Sequence, residues 1–366
     1  MRALHFHHRH AAGAALAAAA TAIAGPALAQ SSVTLSGIVD LAARTVHNEG
    51  LGSMQSLVSG SNATSRLVIR GTEDLGGGLS AGFHLEHGIA ADAGTAVQAT
   101  QFWDRRSTLS LAAKAWGELR AGRDFVPSYT GWSRFDPFSY VGVAGSNNLM
   151  AASQRGPIRS AFGTTANTTV RSSNAVQWLL PAGLAGLEGG VMLAAGEGGA
   201  AGSGQYKLAG ARIGWAGGAW VLSAAHTATE PALPDDERFQ DTALGASYAL
   251  GFGRLSLAVR RFELPDARQL NLLVGLVVPV GAHELKFSFN RADFSGRVGT
   301  AGIGGNEARQ WGLGYVHNLS RRSALYATAS VIDNRGGASF SVPGGPAGLA
   351  GGQRSTGAEA GIRHTF

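Results

Sequence analysis

The chain contains no cysteine and only three lysines, although it has 30 basic residues in all. Without cysteine there is neither a disulfide framework nor a thiolate metal site, so burial and backbone hydrogen bonding must supply the stability. The basic residues are almost all arginine, and they are spread along the chain rather than gathered in one tract. That distribution argues against a nucleic-acid-binding protein, despite a formal net charge of +6.

Long apolar runs are also missing beyond the first 29 residues. No later segment approaches the roughly 18 consecutive apolar residues of a helical membrane span. Residues 1–29 carry two arginines, then an apolar run from 11 to 24, then Ala27-Leu28-Ala29, which are the three parts of a secretory signal. The run is shorter than the roughly 20 residues a spanning helix needs. We therefore expect cleavage after Ala29 and a mature chain of residues 30–366.

The mature chain instead repeats an alternation of apolar and polar residues. In 33–46 the odd positions are apolar or small while several even positions are polar, and 65–73 and 79–87 alternate in the same way. A period of two is typical of strands with one apolar and one wet face. Tilted strands of roughly 9–11 residues are the length that crosses the hydrocarbon of a membrane. Sixteen are predicted, at 33–46, 64–73, 78–90, 101–112, 116–125, 172–180, 184–196, 204–216, 218–229, 239–250, 253–264, 267–279, 282–293, 306–318, 322–334 and 355–366.

Short connections carrying Gly, Pro or Asn alternate with mostly longer ones, as in outer-membrane barrels. The longer ones are predicted at 47–63, 91–100, 126–171, 197–203, 230–238, 294–305 and 335–354. An even strand count lets the first strand pair with the last, and in lipid this closure is compulsory because each unsatisfied backbone group costs several kcal/mol. We expect an all-β, 16-stranded antiparallel transmembrane β-barrel. The connection between 264 and 267 is short for an outer loop, so fourteen or eighteen strands stay open.

Six segments of the chain resemble the general porins of β-proteobacteria. The most specific is 65–79, which reads SRLVIRGTEDLGGGL, and the others lie at 31–40, 121–123, 136–138, 171–178 and 361–366. The resemblance implies a 16-stranded homotrimeric porin of the outer membrane that passes small ions and hydrophilic solutes. It also implies that the third outer loop, 126–171, folds inward as the constriction, and that the barrel-assembly machinery reads the terminal Phe366.

Arginines on the polar face of the predicted strands are the candidate pore-lining charges. A charge at mid-depth on the lipid face would cost about 2–4 kcal/mol, so the lumen is the cheaper place. In the first, second and fourth strands these residues are Arg44, Arg66, Arg70 and Arg106.

The fifth strand offers two candidates. Strict alternation in 116–125 points Arg120 inward beside Glu118, whereas the resemblance assigns the pore-lining role to Arg123. A bulge at Gly122 would reconcile the two, and we favour Arg123.

The long segment 126–171 is poor in acids. Between 125 and 175 a single acid, Asp136, stands against Arg134, Arg155, Arg159 and Arg171. Rings of arginine favour the passage of anions, so we predict an anion-preferring pore. The alternative is that some of these arginines bind lipopolysaccharide phosphate or a neighbouring subunit.

Other functions receive less support from the sequence. His84 and Glu86 share one face and would begin a metal site, but no third ligand accompanies them, so pore lining is the better interpretation. A barrel hydrolase with a Ser-His-acid group at one rim and a plugged structural or adhesin barrel are the remaining alternatives. No G-x-S-x-G motif or phosphate-binding loop is present. We expect neither a cofactor nor a metal.

Overall fold

The computed structural model of the protein describes residues 31–150, 154–163, 167–196, 206–231, 233 and 237–366. The predicted signal peptide, 1–29, lies outside the described residues. The described part of the chain is mostly β-strand, with short helices confined to the segment between 126 and 163. No helix there is long and apolar enough to cross a membrane.

One antiparallel sheet contains all of the strands found in the described residues. In chain order they are β1 (Ser32–Asn48), β2 (Gly52–Ser59), β3 (Arg66–Gly76), β4 (Leu79–Ala90), β5 (Thr95–Ala96), β6 (Arg106–Ala113), β7 (Gly117–Phe125), β8 (Arg171–Leu179), β9 (Leu187–Ala194), β10 (Leu208–Gly217), β11 (Trp220–Thr229), β12 (Phe239–Leu250), β13 (Gly253–Leu264), β14 (Ala267–Val280), β15 (His283–Val298), β16 (Ala301–Gly302), β17 (Glu307–Asn318), β18 (Ser323–Arg335) and β19 (Ser355–Thr365).

These segments form a closed barrel of sixteen strands. β2 and β3 are two parts of one barrel strand, because β1 pairs with β3 through its first half and with β2 through its second. β5 and β16 are two-residue strands that pair with the ends of β4 and β15, respectively, and extend those strands as short hairpins. β19 pairs with β1 and so closes the sheet, which confirms the predicted architecture. The doubtful short connection is a two-residue turn, Pro265-Asp266, between β13 and β14.

Two of the predicted long connections are wrong. Most of 47–63 belongs to the β1–β2 hairpin, which turns at 49–51, and most of 294–305 belongs to β15 and β16. These strands continue past the apolar zone as polar hairpins whose backbone groups remain paired. Loss of apolar alternation therefore marks the edge of the membrane and not the end of the strand. The fourth predicted strand, 101–112, begins only at Arg106.

The outward face of the barrel is apolar. Leu109 and Leu313 are 66% and 63% exposed, whereas the residues on either side of Leu313 in β17 are buried. Tryptophans ring the end that carries the short turns, where Trp178 Nε1 donates to the carbonyl of Trp116 at 2.8 Å and Trp215 Nε1 to that of Ala185 at 3.1 Å. Such an arrangement is typical of the aromatic girdle at a membrane interface.

Replacing Leu313 with arginine tests the assignment of this face to lipid. We expect the free energy of unfolding to fall by about 2–4 kcal/mol, since a charge would enter the hydrocarbon at mid-depth. The measurement is reversible urea unfolding in lipid vesicles. Leu319→Arg is the control, because Leu319 lies in the turn between β17 and β18 and an interfacial charge costs only about 0–1 kcal/mol. Equal losses at the two sites would contradict the assignment.

The core lies inside the barrel and is built by the connection between β7 and β8. This segment contains α1 (Pro127–Ser133), a 3₁₀ helix (Ser146–Leu149) and α2 (Pro157–Phe162). Its buried aromatic residues Trp132 and Phe135 pack in one cluster with Phe239, Phe262 and Leu273 of the wall. A second cluster joins the same segment to the connection between β18 and β19, which also folds inward.

Candidate pore constriction

The inward segment, here called the constriction loop (residues 126–170), is fastened to the wall by a buried ion pair. Arg260 is fully buried on β13, where its Nε and one terminal nitrogen donate to the two carboxylate oxygens of Asp241 at 2.9 and 2.7 Å. Ser128 Oγ of α1 donates to the same carboxylate at 2.6 Å, and Arg260 also donates to the carbonyl of Thr169 at 2.5 Å. One carboxylate thus holds the guanidinium that reaches the end of the loop and the hydroxyl at its start.

The middle of the constriction loop is bonded to the strands on the far side of the barrel. Gln310 Nε2 of β17 donates to the carbonyl of Gly145 at 3.1 Å, and Ser330 Oγ of β18 donates to that of Val143 at 2.5 Å. The amide of Val143 donates in turn to Glu359 of β19 at 3.1 Å. Since the loop begins next to β8 and reaches β19, it crosses the lumen and narrows it.

Asp136 belongs to the fold of the loop and not to the pore lining that the sequence suggested. Its carboxylate is buried and accepts hydrogen bonds from the amides of Phe138, Tyr140 and Ser146 at 2.8–3.0 Å. Burial raises the pKa of this carboxyl group above its usual value. The one acid counted in the loop therefore does not line the cavity beside it.

Beside the loop lies a cavity of about 620 Å³ with a strongly basic lining. Four arginines line it, and none of its lining residues is acidic; the arginines are Arg66, Arg105, Arg134 and Arg171. The remaining lining includes the aromatic side chains of Phe125, Tyr129 and Tyr140. An ion crossing this part of the lumen meets guanidinium groups on both the wall and the loop.

Glu86 of β4 contacts two of these arginines and offsets part of their charge. Its carboxylate lies 2.5 Å from Arg105 Nε and 3.5 Å from Arg66 Nε, while its side chain is 9% exposed. His84 Nε2 is 3.4 Å from the other oxygen of Glu86. Two arginines share one carboxylate, so this group keeps a net positive charge. Among the described residues no group of three or more His, Cys, Asp or Glu side chains is placed to hold a metal ion.

Arg106 and Arg120 form a separate, neutral group with Asp124 and Glu118. Arg120 lies 2.7 Å from Asp124 and 2.9 Å from Glu118, and Arg106 lies 3.3 Å from Asp124. Arg106 therefore lies in a charge-balanced group and does not line the basic cavity.

The preference for Arg123 over Arg120 is not supported by the contacts. Arg123 donates to the carbonyl of Asp104 at 2.6 Å and to Ser173 Oγ at 2.9 Å, on the opposite phase of β7 from Arg120. The register does shift between Gly122 and Asp124, but the extra residue lies on β8, between Ser172 and Ala175, so β7 keeps its alternation and Asp124 shares the inward phase of Arg120. Gly122 has φ +125°, and a Cβ there would lie 2.0 Å from the carbonyl oxygen of Ser107.

The other predicted arginines occupy different levels of the lumen. Arg44 is buried, is paired with Glu359 at 2.7 Å and donates to the carbonyl of Pro343, so the β18–β19 connection covers it. Arg70 is exposed on the same face of β3 as Arg66. Arg155 and Arg159 border a second cavity of about 750 Å³ between the loop and the connections after β15 and β18, at the long-loop end.

Two arginines of the cavity were missing from the predicted site. Arg134 was counted in the loop, and it forms an ion pair with Glu188 of β9, which also binds Arg212 at 2.7 Å. Arg105 was omitted because the predicted strand 101–112 put it on the phase opposite Arg106, whereas in the structure it precedes β6 and strand alternation does not define its direction. No sequence signal marks Arg105, because alternation turns only one of two adjacent strand residues inward, and Arg106 already takes that place.

Fold and lumen together define a class of protein: a closed β-barrel with an apolar outer belt and a loop-narrowed, charged passage, which is an outer-membrane diffusion channel. The Gram-negative porin family matches residues 14–337. The outer membrane porin protein 32 of Delftia acidovorans is 34% identical over 369 residues, covering 96% of this chain and 99% of that protein. The chain belongs to the Gram-negative porin family.

Solved structures agree with this assignment. The anion-selective porin from Comamonas acidovorans is 33% identical, covers 92% of this chain with 100% of its own, and superposes with a TM-score of 0.76. OmpT of Vibrio cholerae, at 11% identity and a TM-score of 0.62, shares the fold alone. The protein is an outer-membrane porin, a channel and not an enzyme, and the barrel hydrolase alternative is wrong.

Proposed function

We propose that this porin is a passive channel that prefers small anions. The observation that carries the proposal is the cavity beside the constriction loop, whose lining holds four arginines and no carboxylate. Arginine charge in a narrow aqueous passage lowers the energy of an anion and raises that of a cation. Glu86 and Glu188 offset part of the charge but leave an excess of guanidinium groups.

Arg155 and Arg159 extend the basic path toward the long-loop end, where they border the outer cavity. Positive potential at a channel mouth raises the local concentration of anions. The 33% identical porin from Comamonas acidovorans is described as anion-selective, which supports the same preference here. In this proposal the selective residues are Arg66, Arg105, Arg134 and Arg171, with Arg155 and Arg159 at the entrance.

The reversal potential of the purified porin in a planar bilayer tests this proposal. In a KCl gradient we expect the sign that corresponds to chloride passing more readily than potassium, with the preference weakening as salt rises, since screening shortens the reach of the charges. A preference for potassium would overturn the proposal. Absence of any steady conductance would favour the plugged barrel instead.

We further propose, from the family resemblance, a homotrimer assembled in lipid and lipopolysaccharide after export through a cleaved signal, 1–29. Phe366 is 43% exposed at the short-turn end, and its backbone pairs with Gly37 at 3.0 and 3.1 Å. An exposed terminal ring suits recognition by the assembly machinery. Deletion of Phe366 tests that role by the yield of folded barrel, chemical crosslinking in membranes tests the trimer, and N-terminal sequencing tests cleavage after Ala29.

A further inference from the structure

Arg171 differs from the other arginines of the basic cavity in what holds it. Arg66 and Arg105 share Glu86, and Arg134 is paired with Glu188. For Arg171, no carboxylate lies within ion-pair distance among the described residues, and its Nε atom is buried without a hydrogen-bond partner there. Its guanidinium carbon instead lies 4.5 Å from the centre of the Phe125 ring.

The Phe125 ring is itself held by a series of aromatic contacts. Tyr129, one turn further along in α1, stacks on Phe125 with ring centres 5.0 Å apart and an angle of 17° between the planes. Tyr140 meets Tyr129 edge to face at 5.2 Å, and the Tyr140 hydroxyl donates to Met150 Sδ at 3.6 Å. The stack thus runs from the buried part of the constriction loop to the guanidinium at its end.

Backbone pairing places this stack at the base of the loop. Phe125 and Arg171 are direct partners across β7 and β8, and the next rung is the hydrogen bond from the amide of Val126 to the carbonyl of Val170 at 3.0 Å. The two side chains therefore meet as a cross-strand pair. Such a pair is fixed by the sheet register rather than by the flexible part of the loop.

The two ways of holding an arginine have different electrostatic results. A carboxylate partner cancels the charge that a passing ion feels, whereas an aromatic face attracts the guanidinium through its quadrupole and leaves the full unit of charge in place. We propose that Phe125 and Tyr129 are positioning residues that keep Arg171 in the lumen as the uncompensated cation of the constriction. This rests on the proposed anion preference, to which Arg171 contributes one full unit of charge.

The test is a double-mutant cycle read as the chloride-to-potassium permeability ratio at low salt. Arg171→Gln should lower the ratio about ten-fold, by the Coulomb energy of one unit charge near the ion path. Phe125→Leu should lower the ratio about three- to five-fold, because losing one cation–π contact reduces the fraction of Arg171 side chains held in the lumen by about that factor. Phe125→Tyr, which keeps the ring face, should stay near the wild-type ratio.

The decisive measurement is Phe125→Leu made in the Arg171→Gln background. If Phe125 acts through Arg171, the second substitution has no further effect on the ratio, because coupled residues are not additive. Additive effects would overturn the proposal, as would an unchanged ratio in Phe125→Leu alone. Tyr129→Leu supplies a second route to the same result if Phe125→Leu does not fold, and single-channel conductance reports folding.

Trp220→Leu is the matched control, because it removes an aromatic partner of Tyr248 on the outward face and should leave the ratio unchanged. The proposed function and this inference fail differently. A wild-type channel without anion preference would overturn the former. An anion-preferring wild type whose ratio ignores Phe125 would overturn only the latter.

Discussion

Replacing Arg66 and Arg105 together with glutamine will abolish the anion preference of the pore. The two guanidinium groups share Glu86, so their loss leaves a carboxylate at the cavity and changes the local charge by two units. A unit charge about 6 Å from the ion path changes an ion's energy by about 0.7 kcal/mol in a water-like dielectric. The effect has opposite signs for chloride and potassium, so the permeability ratio should fall about ten-fold per charge at low salt.

The reversal potential in a KCl gradient measures this change directly. Adding Glu86→Gln to the double variant removes the unpaired acid and should recover about one factor of ten, which separates charge from shape. Arg335→Gln is the control, since Arg335 is exposed on the outward phase at the end of β18. A double variant that keeps the wild-type ratio would show that ions do not pass close to these arginines.

Replacing Arg260 with methionine will destabilise the barrel and release the constriction loop. The substitution leaves Asp241 buried without its cationic partner, which costs about 3–5 kcal/mol. It also removes the donor to Thr169, so the end of the loop loses its attachment. We expect a lower urea midpoint and a noisier single-channel current than in the wild type.

The companion variants separate the ion pair from the packing. Replacing both partners, Arg260→Met with Asp241→Leu, should recover much of the stability, because apolar residues of similar volume tolerate the site better than one buried charge. Arg354→Met breaks an exposed pair with Asp333 and should cost less than about 1 kcal/mol. If Arg260→Met were as mild as Arg354→Met, the buried pair would not fasten the loop.

Much of the barrel could be predicted because strand alternation is a local property. In 33–46 successive residues face lipid and lumen in turn, and the structure keeps that alternation along β1. The same pattern fails where strands leave the membrane, so 47–63 was predicted as a loop although β2 occupies much of it. There the residues on both faces meet water, and hydrogen bonding alone maintains the strand.

The pairing of charged side chains in the lumen was harder to predict from the sequence. Glu86 is the register partner of Arg106 across β4 and β6, yet its carboxylate binds Arg105, which precedes the strand. On β7 the alternation continues unbroken past Gly122, so Asp124 and not Arg123, the residue that the family resemblance favoured, joins Arg120. The first outcome depends on where β6 starts, and the second on the register shift being taken up by β8, which leaves the phase of β7 unchanged.

The sequence by itself determined the barrel class and the long acid-poor loop, because alternation, strand length and composition act over neighbouring residues, whereas the strand number was fixed at sixteen only by the pairing that closes β19 on β1. Only the tertiary structure decided which arginines have a carboxylate partner that offsets their charge. The charge of Arg44 is offset by Glu359 of β19, more than 300 residues away. Arg171 contacts the ring of Phe125 across the base of the loop, so its charge is not offset there. Whether a guanidinium meets a carboxylate or an aromatic face depends on strand register and loop path, and neither can be deduced from residue types along the chain.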